Sequence, residues 1–255
     1  MRRAQRLALG VVGGLLAAFL LLPLLVLVLG ADGTSWLEQL SSPRVFAALR
    51  VSLVTTSCTL ALTLLLGTPL AWTLASNPGR LSRAVEQGLQ LPVVVPPAVA
   101  GLALLLAFGR SGPLAASAVA FTPVAVVLAQ LFVAAPLFVH GAIAAFRSLD
   151  PAMIELARSM GASPLVVFGR VAIPMAAPAL VGAAATSWSR ALGEFGATLM
   201  FAGNLEGRTQ TMPLAVYQAL EVDTETARAL AALLIGLALV VMGVLVATRR
   251  PHEGP

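Results

Sequence analysis

Long apolar runs separated by short polar stretches dominate the pattern along the chain. Each of six runs can supply the roughly 20 apolar residues that an α-helix needs to cross the hydrocarbon core of a bilayer. The predicted spans are 7–29, 47–75, 89–108, 121–146, 171–201 and 226–248. The pattern therefore predicts an all-α integral membrane protein of about six transmembrane helices, forming a single transmembrane domain over residues 1–255.

Two of these runs carry additional signals. Arg2, Arg3 and Arg6 precede the first run, which is the polarity of a secretory signal. The apolar region of such a signal is only about 7–15 residues long. This run is longer and has no clear cleavage site, so we interpret it as an uncleaved span. The third run contains three prolines, which remove backbone donors and predict a kink or a broken start; they are Pro92, Pro96 and Pro97.

Composition agrees with a lipid environment. Hydrophobic residues make up 58% of the 255 residues and charged residues 11%, whereas a soluble domain carries roughly 25% charged residues. All sixteen cations are arginine, which excludes a Walker-type ATPase loop and a Schiff-base lysine. Cys58 alone can form neither an intrachain disulfide nor a zinc site. We expect no catalytic residue, metal or cofactor in this chain, and the arginines flanking the spans require no nucleic acid partner.

The arginines also predict an orientation. With the N-terminus inside, ten lie in cytoplasmic segments: Arg2, Arg3, Arg6, Arg80, Arg83, Arg147, Arg158, Arg170, Arg249 and Arg250. Five lie in external loops: Arg44, Arg50, Arg110, Arg208 and Arg228. This excess favours a multi-pass protein with both termini in the cytoplasm.

The loop between the fourth and fifth spans predicts a short helix over 150–161. Asp150 is a good N-cap, Pro151 suits the first helical position, and Gly161 is placed to end the helix in a left-handed cap. Its apolar residues share one face: Met153, Leu156, Ala157 and Met160. From these residues alone, the helix could equally rest in the lipid interface.

The same loop resembles the cytoplasmic loop of permeases from binding-protein-dependent ABC importers. That loop reads Glu-Ala-Ala, three residues, Gly, nine residues, Ile-x-Leu-Pro. The matching residues keep this spacing: Glu155, Leu156, Ala157, Gly161, Val171, Ile173 and Pro174. The three departures, at Leu156, Val171 and Ile173, all remain apolar. The resemblance implies that the helix docks into a groove on an ATPase subunit and transmits its motion to the spans.

A second motif resembles molybdate and tungstate permeases. It runs from Arg190 to Asn204 and continues over 207–217. Sulfate permeases are related but tend to have tyrosine and serine at the positions of Phe195 and Ala197. We therefore expect a channel-forming permease subunit for molybdate or tungstate, with a sulfate or thiosulfate importer as the alternative.

The family resemblance also implies the assembly. The chain is expected to pair with a copy of itself and with two ABC ATPase subunits, which bind ATP and Mg. An extracytoplasmic oxyanion-binding protein would deliver the anion. The expected location is the cytoplasmic (inner) membrane of a bacterium or archaeon.

The charged pair in the second motif has two interpretations. An isolated Glu194 in a span costs at least ~2.5–3.5 kcal/mol on insertion scales, and Arg190 stands one helical turn away, where it can pair. The segment is either a packing site with a neutralised pair or a part of the pathway or gate. The candidate pathway residues are Arg190, Gly193, Glu194, Phe195, Gly196 and Thr198. Thr198, Ser187 and Ser189 suit an oxyanion better than Glu194 does.

Two other function classes fit the residues less well. An intramembrane protease needs a nucleophile–base arrangement, which Arg190 and Glu194 do not form. A proton-coupled carrier usually shows internal repeats and several intramembrane acids. This sequence shows neither.

Overall fold

The computed structural model describes residues 3–30 and 42–247, which are helical with no β-strand among them. The helices are α1 (Arg3–Leu29), α2 (Pro43–Ser76), α3 (Arg80–Gly88), α4 (Leu91–Val94), α5 (Pro97–Phe108), α6 (Pro123–Arg147), α7 (Pro151–Ser159), α8 (Pro164–Leu192), α9 (Gly196–Ala202), α10 (Met212–Leu220) and α11 (Thr224–Ala247). A 3₁₀ turn covers Ala115–Ser117.

Five helices are long and apolar enough to cross a bilayer. They are α1, α2, α6, α8 and α11, with qualifying stretches of at least 20 residues each. A sixth span is possible if α3–α4 and α5 count together, although these two parts are bent by 110°. The chain is thus an all-helical, multi-pass membrane protein with five or six spans.

The third predicted span, 89–108, is broken where the prolines lie. α4 ends at Val94, and Val95 and Pro96 adopt extended backbone with ψ of 130° and 137°. A residue before proline avoids the helical region because the ring crowds its backbone. The helix resumes at Pro97, where a missing N–H costs nothing.

The fifth span, predicted within 171–201, is divided between two helices in the structure. α8 begins earlier, at Pro164, and passes through a π-helical segment over Val167–Ala172. It ends at Leu192, and a new short helix begins at Gly196. Glycine has the weakest helix propensity of the non-proline residues, so Gly193 favours the end of α8. The carboxylate of the next residue, Glu194, accepts the Ala197 N–H and caps the start of α9.

The main core lies where α2, α6 and α8 pack together. Small residues allow the close approach: a Cβ on Gly67 would lie 2.9 Å from Phe138, and one on Gly141 would lie 2.7 Å from Ala183. Two smaller clusters flank it. One joins α5, α6 and α9, and the other joins α2, α10 and α11.

A row of polar residues on α2 is buried in this bundle: Ser52, Thr55, Thr56, Thr59 and Thr63. Thr59 donates to the Gln130 side chain of α6 at 3.0 Å, and Gln130 donates back to Thr55 at 3.2 Å. The Met212 N–H of α10 donates to Ser52 Oγ at 2.7 Å. Hydrogen bonds inside a low-dielectric bundle fix which helix faces meet.

Candidate coupling and translocation sites

The helix α7 begins and ends at the predicted signals. The Asp150 carboxylate accepts the Ala152 N–H at 2.9 Å, and Pro151 is the first helical residue. Gly161 has φ of +83°, and its N–H donates to Arg158 O at 2.9 Å. A Cβ at Gly161 would have no atom within 4 Å. Glycine is thus needed for its backbone conformation and not for space inside the chain.

One side of α7 is apolar and uncovered. Leu156 and Met160, one turn apart, are 56% and 80% exposed. Glu155 is exposed beside them, whereas Ala157 is half-buried. Ile154 turns the other way and packs against the main core. The helix therefore contacts the bundle on one side and presents Leu156, Met160 and Glu155 outward.

Aromatic packing connects α7 with the ends of the spans. A cleft of about 370 Å³ lies beside it, lined on the α7 side by Ile154, Glu155 and Arg158. Trp72 of α2 forms the opposite wall with Phe146 of α6, at a centroid distance of 5.3 Å. Trp72 also contacts Phe168 in the π segment at 5.8 Å.

Pro174 lies just beyond the π segment. It has no N–H to donate to the carbonyl of Arg170 one turn earlier, so the regular ladder is weakened there. π segments of this kind often occur at functional positions. The loop motif that begins at Glu155 on α7 thus ends at Pro174, in a turn of α8 that lacks one backbone hydrogen bond.

The second motif forms the break between α8 and α9. Arg190 Nη2 lies 2.9 Å from Glu194 Oε2, in an electrostatic contact without the directionality of a hydrogen bond. Glu194 is fully buried, and the Arg190 side chain is 33% exposed. The other carboxylate oxygen of Glu194 accepts the Ala197 N–H at 2.8 Å. One carboxylate therefore neutralises a cation and caps the first turn of α9.

Glycines bring α9 against the broken third span. A Cβ on Gly196 would lie 2.9 Å from Pro97, the first residue of α5. A Cβ on Gly101 would lie 2.7 Å from the carbonyl oxygen of Ala197. The two broken spans therefore touch at their breaks, through backbone that no larger residue would allow.

Four of the six predicted pathway residues lie at the break, and the other two, Phe195 and Thr198, have different surroundings. Arg190, Gly193, Glu194 and Gly196 lie together at the break. Phe195 turns toward Tyr217 of α10, with ring centroids 5.2 Å apart. Thr198 is completely buried, and its hydroxyl has no hydrogen-bond partner in the described part of the chain.

Ser187 and Ser189 are used for helix packing in this conformation. Ser187 is buried and donates to Ala134 O of α6 at 2.9 Å, while Ser189 contacts the sulfur of Met242 of α11 at 3.3 Å. Sequence reasoning did not single out Gln130, which links α6 to α2. An amide inside an apolar span opposite a helical row of threonines was the available signal.

The described part of the chain is a bundle of five or six apolar helices, and two of its spans are broken where they meet. Discontinuous spans of this kind are common in membrane transport proteins. The sequence pattern of the family described as "Binding-protein-dependent transport system inner membrane component" matches residues 67–249. The chain belongs to this family. It is therefore an inner-membrane component of a transport system, and not itself an enzyme.

Similar proteins refine this assignment. The molybdenum transport system permease protein ModB of Mycobacterium tuberculosis is 39% identical over 233 residues, which cover 89% of this chain and 88% of that protein. The sulfate transport system permease protein CysT of Salmonella typhimurium is 32% identical over 235 residues, which cover 88% of this chain and 84% of that protein. A chain in the crystal structure of a bacterial alginate ABC transporter, in complex with a periplasmic protein, shares the fold with a TM-score of 0.75 at 16% identity. The match covers 97% of this chain and 95% of that chain.

Proposed function

We propose that this chain is the channel-forming subunit of an ATP-driven importer that moves the tetrahedral oxyanion molybdate, or tungstate, into the cytoplasm. The segment Arg190–Thr198, which resembles molybdate permeases, carries the proposal because it forms the break that packs against the other broken span. The alternative substrate is sulfate or thiosulfate, and the lower identity to a sulfate permease makes it the second choice.

The proposed assembly is a homodimer of this chain with two ATPase subunits, which bind ATP and Mg, and an external binding protein. The exposed face of α7 supports an ATPase partner. Leu156 and Met160 present apolar surface that a water-facing loop would otherwise leave uncovered. Glu155, Ala157 and Gly161 complete this proposed docking surface, and Pro174 begins the regular part of the span that it would move.

The proposed gate is the contact between α9 and the start of α5. Non-helical backbone at membrane depth is tolerated only where protein or a water-filled cavity surrounds it. Protein surrounds Glu194, which is fully buried, and Gly196, which contacts Pro97, whereas Gly193 is exposed on the single chain. A break of this kind can change its angle with less loss of hydrogen bonds than a continuous helix can.

The test is transport by the reconstituted complex. The chain, its ATPase and its binding protein are placed in proteoliposomes, and uptake of labelled molybdate is measured with ATP and with a non-hydrolysable analogue. We expect ATP-dependent uptake that excess tungstate inhibits and excess sulfate does not. Sulfate uptake without molybdate uptake would favour the alternative, and uptake of neither anion would contradict an oxyanion importer.

A further inference from the structure

We propose that a small cleft formed by α2, the start of α6 and the loop after α9 binds a tetrahedral oxyanion through Arg50 and Arg208. The cleft has a volume of about 240 Å³ and both arginines line it. Its remaining walls are Ala47, Val51, Val54, Thr55, Pro123 and Gly207. The inference rests on the proposed function for its substrate class, and it adds a binding site on the permease itself.

The two arginines reach the cleft from distant parts of the chain. Arg50 stands on α2, near its first turns, and Arg208 lies in the connection between α9 and α10. That connection is well anchored. Gly207 has φ of +70°, the Arg208 N–H donates to Leu205 O at 3.1 Å, and the buried Thr209 hydroxyl accepts the Leu205 N–H at 3.0 Å. The turn thus holds the Arg208 backbone in place.

The charges around the cleft are not balanced. Two other external arginines have acidic partners: Arg44 lies 3.3 Å from Glu206, and Arg228 lies 3.1 Å from Glu225. Arg50 and Arg208 have no ion pair or side-chain hydrogen bond with any described residue, and no acidic side chain lines the cleft. Two uncompensated cations in one concavity attract an anion and raise its local concentration.

The chemistry of the pair fits a dianion with tetrahedral oxygens. A guanidinium group is a planar fork that donates two parallel hydrogen bonds to an oxyanion, and it stays charged at any working pH. Two such groups match the two negative charges of molybdate, tungstate or sulfate. The aliphatic side chains of Ala47, Val51 and Val54 form the apolar part of the lining and offer no competing hydrogen-bond acceptor to the two guanidinium groups.

A phospholipid headgroup offers the same phosphate-like chemistry, because the cleft lies near the predicted outer face of the bilayer. A cleft of about 240 Å³ suits a small free anion. A headgroup would also have to place its glycerol and acyl chains beside it. We assign the site to the free oxyanion, and the experiment separates the two sources.

The experiment measures labelled molybdate binding by equilibrium dialysis. It uses the purified permease–ATPase complex in a phosphate-free maltoside detergent, without binding protein or nucleotide, at low ionic strength. We expect saturable binding that sulfate competes and chloride does not. Arg50→Gln and Arg208→Gln should each weaken it at least about tenfold, because each removes a charge-assisted contact. Both side chains are exposed, so the fold should be preserved.

Arg44→Gln is the matched control. Arg44 is also an exposed external arginine, but Glu206 already neutralises it, so binding should be unchanged. Equal weakening by all three substitutions would show a diffuse surface effect and overturn the site. No saturable binding by the wild type, or unchanged binding in Arg50→Gln and Arg208→Gln, would also overturn it. Mass spectrometry of co-purified lipid tests whether a phospholipid headgroup occupies the cleft instead. Phospholipid retained by the wild type and lost in both variants would contradict a free-anion site.

Binding and transport can fail independently. If the proteoliposomes import molybdate while the complex shows no cleft-dependent binding, the proposed function stands and the site is wrong. If the cleft binds sulfate or phosphate in an arginine-dependent way and molybdate is not imported, the site stands and the proposed substrate is wrong.

Discussion

At the scale of single residues, Glu194 combines two roles that usually belong to different side chains. One oxygen pairs with Arg190 and the other caps α9 through the Ala197 N–H. Because Arg190 is one-third exposed, its charge is partly hydrated even without the carboxylate. The cap has no such substitute, since the Ala197 N–H lies in a buried segment. The hydrogen bond to α9 is therefore the contact that the fold can least afford to lose.

Substitutions at Glu194 separate the two roles. Glu194→Ala leaves the buried Ala197 N–H without its acceptor, and such a loss costs roughly 1–3 kcal/mol. Glu194→Gln keeps an amide oxygen for that N–H and loses only the charge. We expect Glu194→Ala to lower the thermal unfolding temperature of the detergent-solubilised protein clearly more than Glu194→Gln does. Equal losses would place the stabilisation in the ion pair instead.

Asp223 gives a pH-dependent prediction outside the spans. Hydrogen bonds from the Thr226 side chain and backbone hold the pKa of Asp223 below its ordinary value of 3.8. A lowered pKa means that the cap on α11 is fully present above pH 3.8 and is lost as the pH falls through the lower folded-state value. Hydrogen exchange of the first turn of α11, corrected for intrinsic rates, should show protection falling in that acidic range.

Asp223→Asn is the control for this titration. Asparagine is also a good N-cap but carries no titrating group. The variant should keep protection of the first turn of α11 nearly constant over the same acidic range. A fall of the same size in the variant would show that Asp223 is not the group responsible.

Two substitutions at Gly161 distinguish the effect of backbone strain from the effect of a side chain that blocks docking. Its φ of +83° is costly for most residues but tolerable for asparagine. Space around it is open within the chain, so a tryptophan would project where the ATPase is proposed to dock. We expect Gly161→Trp to abolish binding-protein-stimulated ATPase activity in reconstituted membranes, and Gly161→Asn to lose less. Full stimulation by an assembled Gly161→Trp complex would remove the coupling role of α7.

At the scale of elements, the interruptions distinguish this bundle from a set of plain spans. The π segment over Val167–Ala172 separates α7 from the apolar part of α8. The bend before α5 and the gap before α9 meet each other. The π segment lies between the proposed docking surface and the main core, and the other two interruptions form the proposed gate. Movement of one part relative to another is therefore expected at these three positions.

The π segment can be stiffened without a clash. A Cβ on Gly169 would meet no atom within 4 Å, and alanine at a helical glycine stabilises by roughly 0.5–1 kcal/mol. We expect Gly169→Ala to raise the unfolding temperature and to slow ATP-driven uptake. Gly236→Ala in α11 is the control, because its Cβ would also meet nothing within 4 Å. It should stabilise similarly and leave uptake unchanged. Equal uptake in both variants would indicate a static π segment.

Local signals account for the elements that the sequence predicts well. The bounds of α7 follow from Asp150, Pro151 and Gly161, and the bend before α5 follows from its prolines. The gap before α9 depends on contacts with residues distant in sequence. Glycine at 193 permits an end to α8 but does not require one, and the close approach of Gly196 to Pro97 has no signature in the local pattern. The pairing of Arg50 and Arg208 in one cleft is equally non-local.

At the scale of the whole molecule, contacts between distant segments agree with the predicted grouping of segments on the two sides of the membrane. Arg147 at the end of α6 pairs with Glu86 of α3 at 2.8 Å, and both belong to segments expected in the cytoplasm. Arg228 of α11 donates to Gly30 O at the end of α1 at 2.8 Å, and both belong to segments expected outside. Each contact would be impossible if its two segments lay on opposite sides of a bilayer.

Cysteine labelling tests this orientation directly. Cys58 is the single cysteine, so Cys58→Ser gives a background into which one cysteine is introduced at a time. Ser159→Cys on α7 should react with a membrane-impermeant maleimide only in inverted vesicles. Val222→Cys, at a residue 87% exposed between α10 and α11, should react only from outside intact cells. The reverse pattern would contradict both the topology and the coupling role of α7.

The length of α2 has a mechanical consequence. Its 34 residues make a rod of about 51 Å, well beyond the roughly 30 Å of the hydrocarbon core. One end bears Arg50 and the other bears Trp72, while Thr59 holds its middle against Gln130. A stiff rod couples its two ends, because a rotation of a few degrees about its middle would displace them by roughly 2 Å in opposite directions. Widening of the external cleft would then accompany narrowing of the cytoplasmic one.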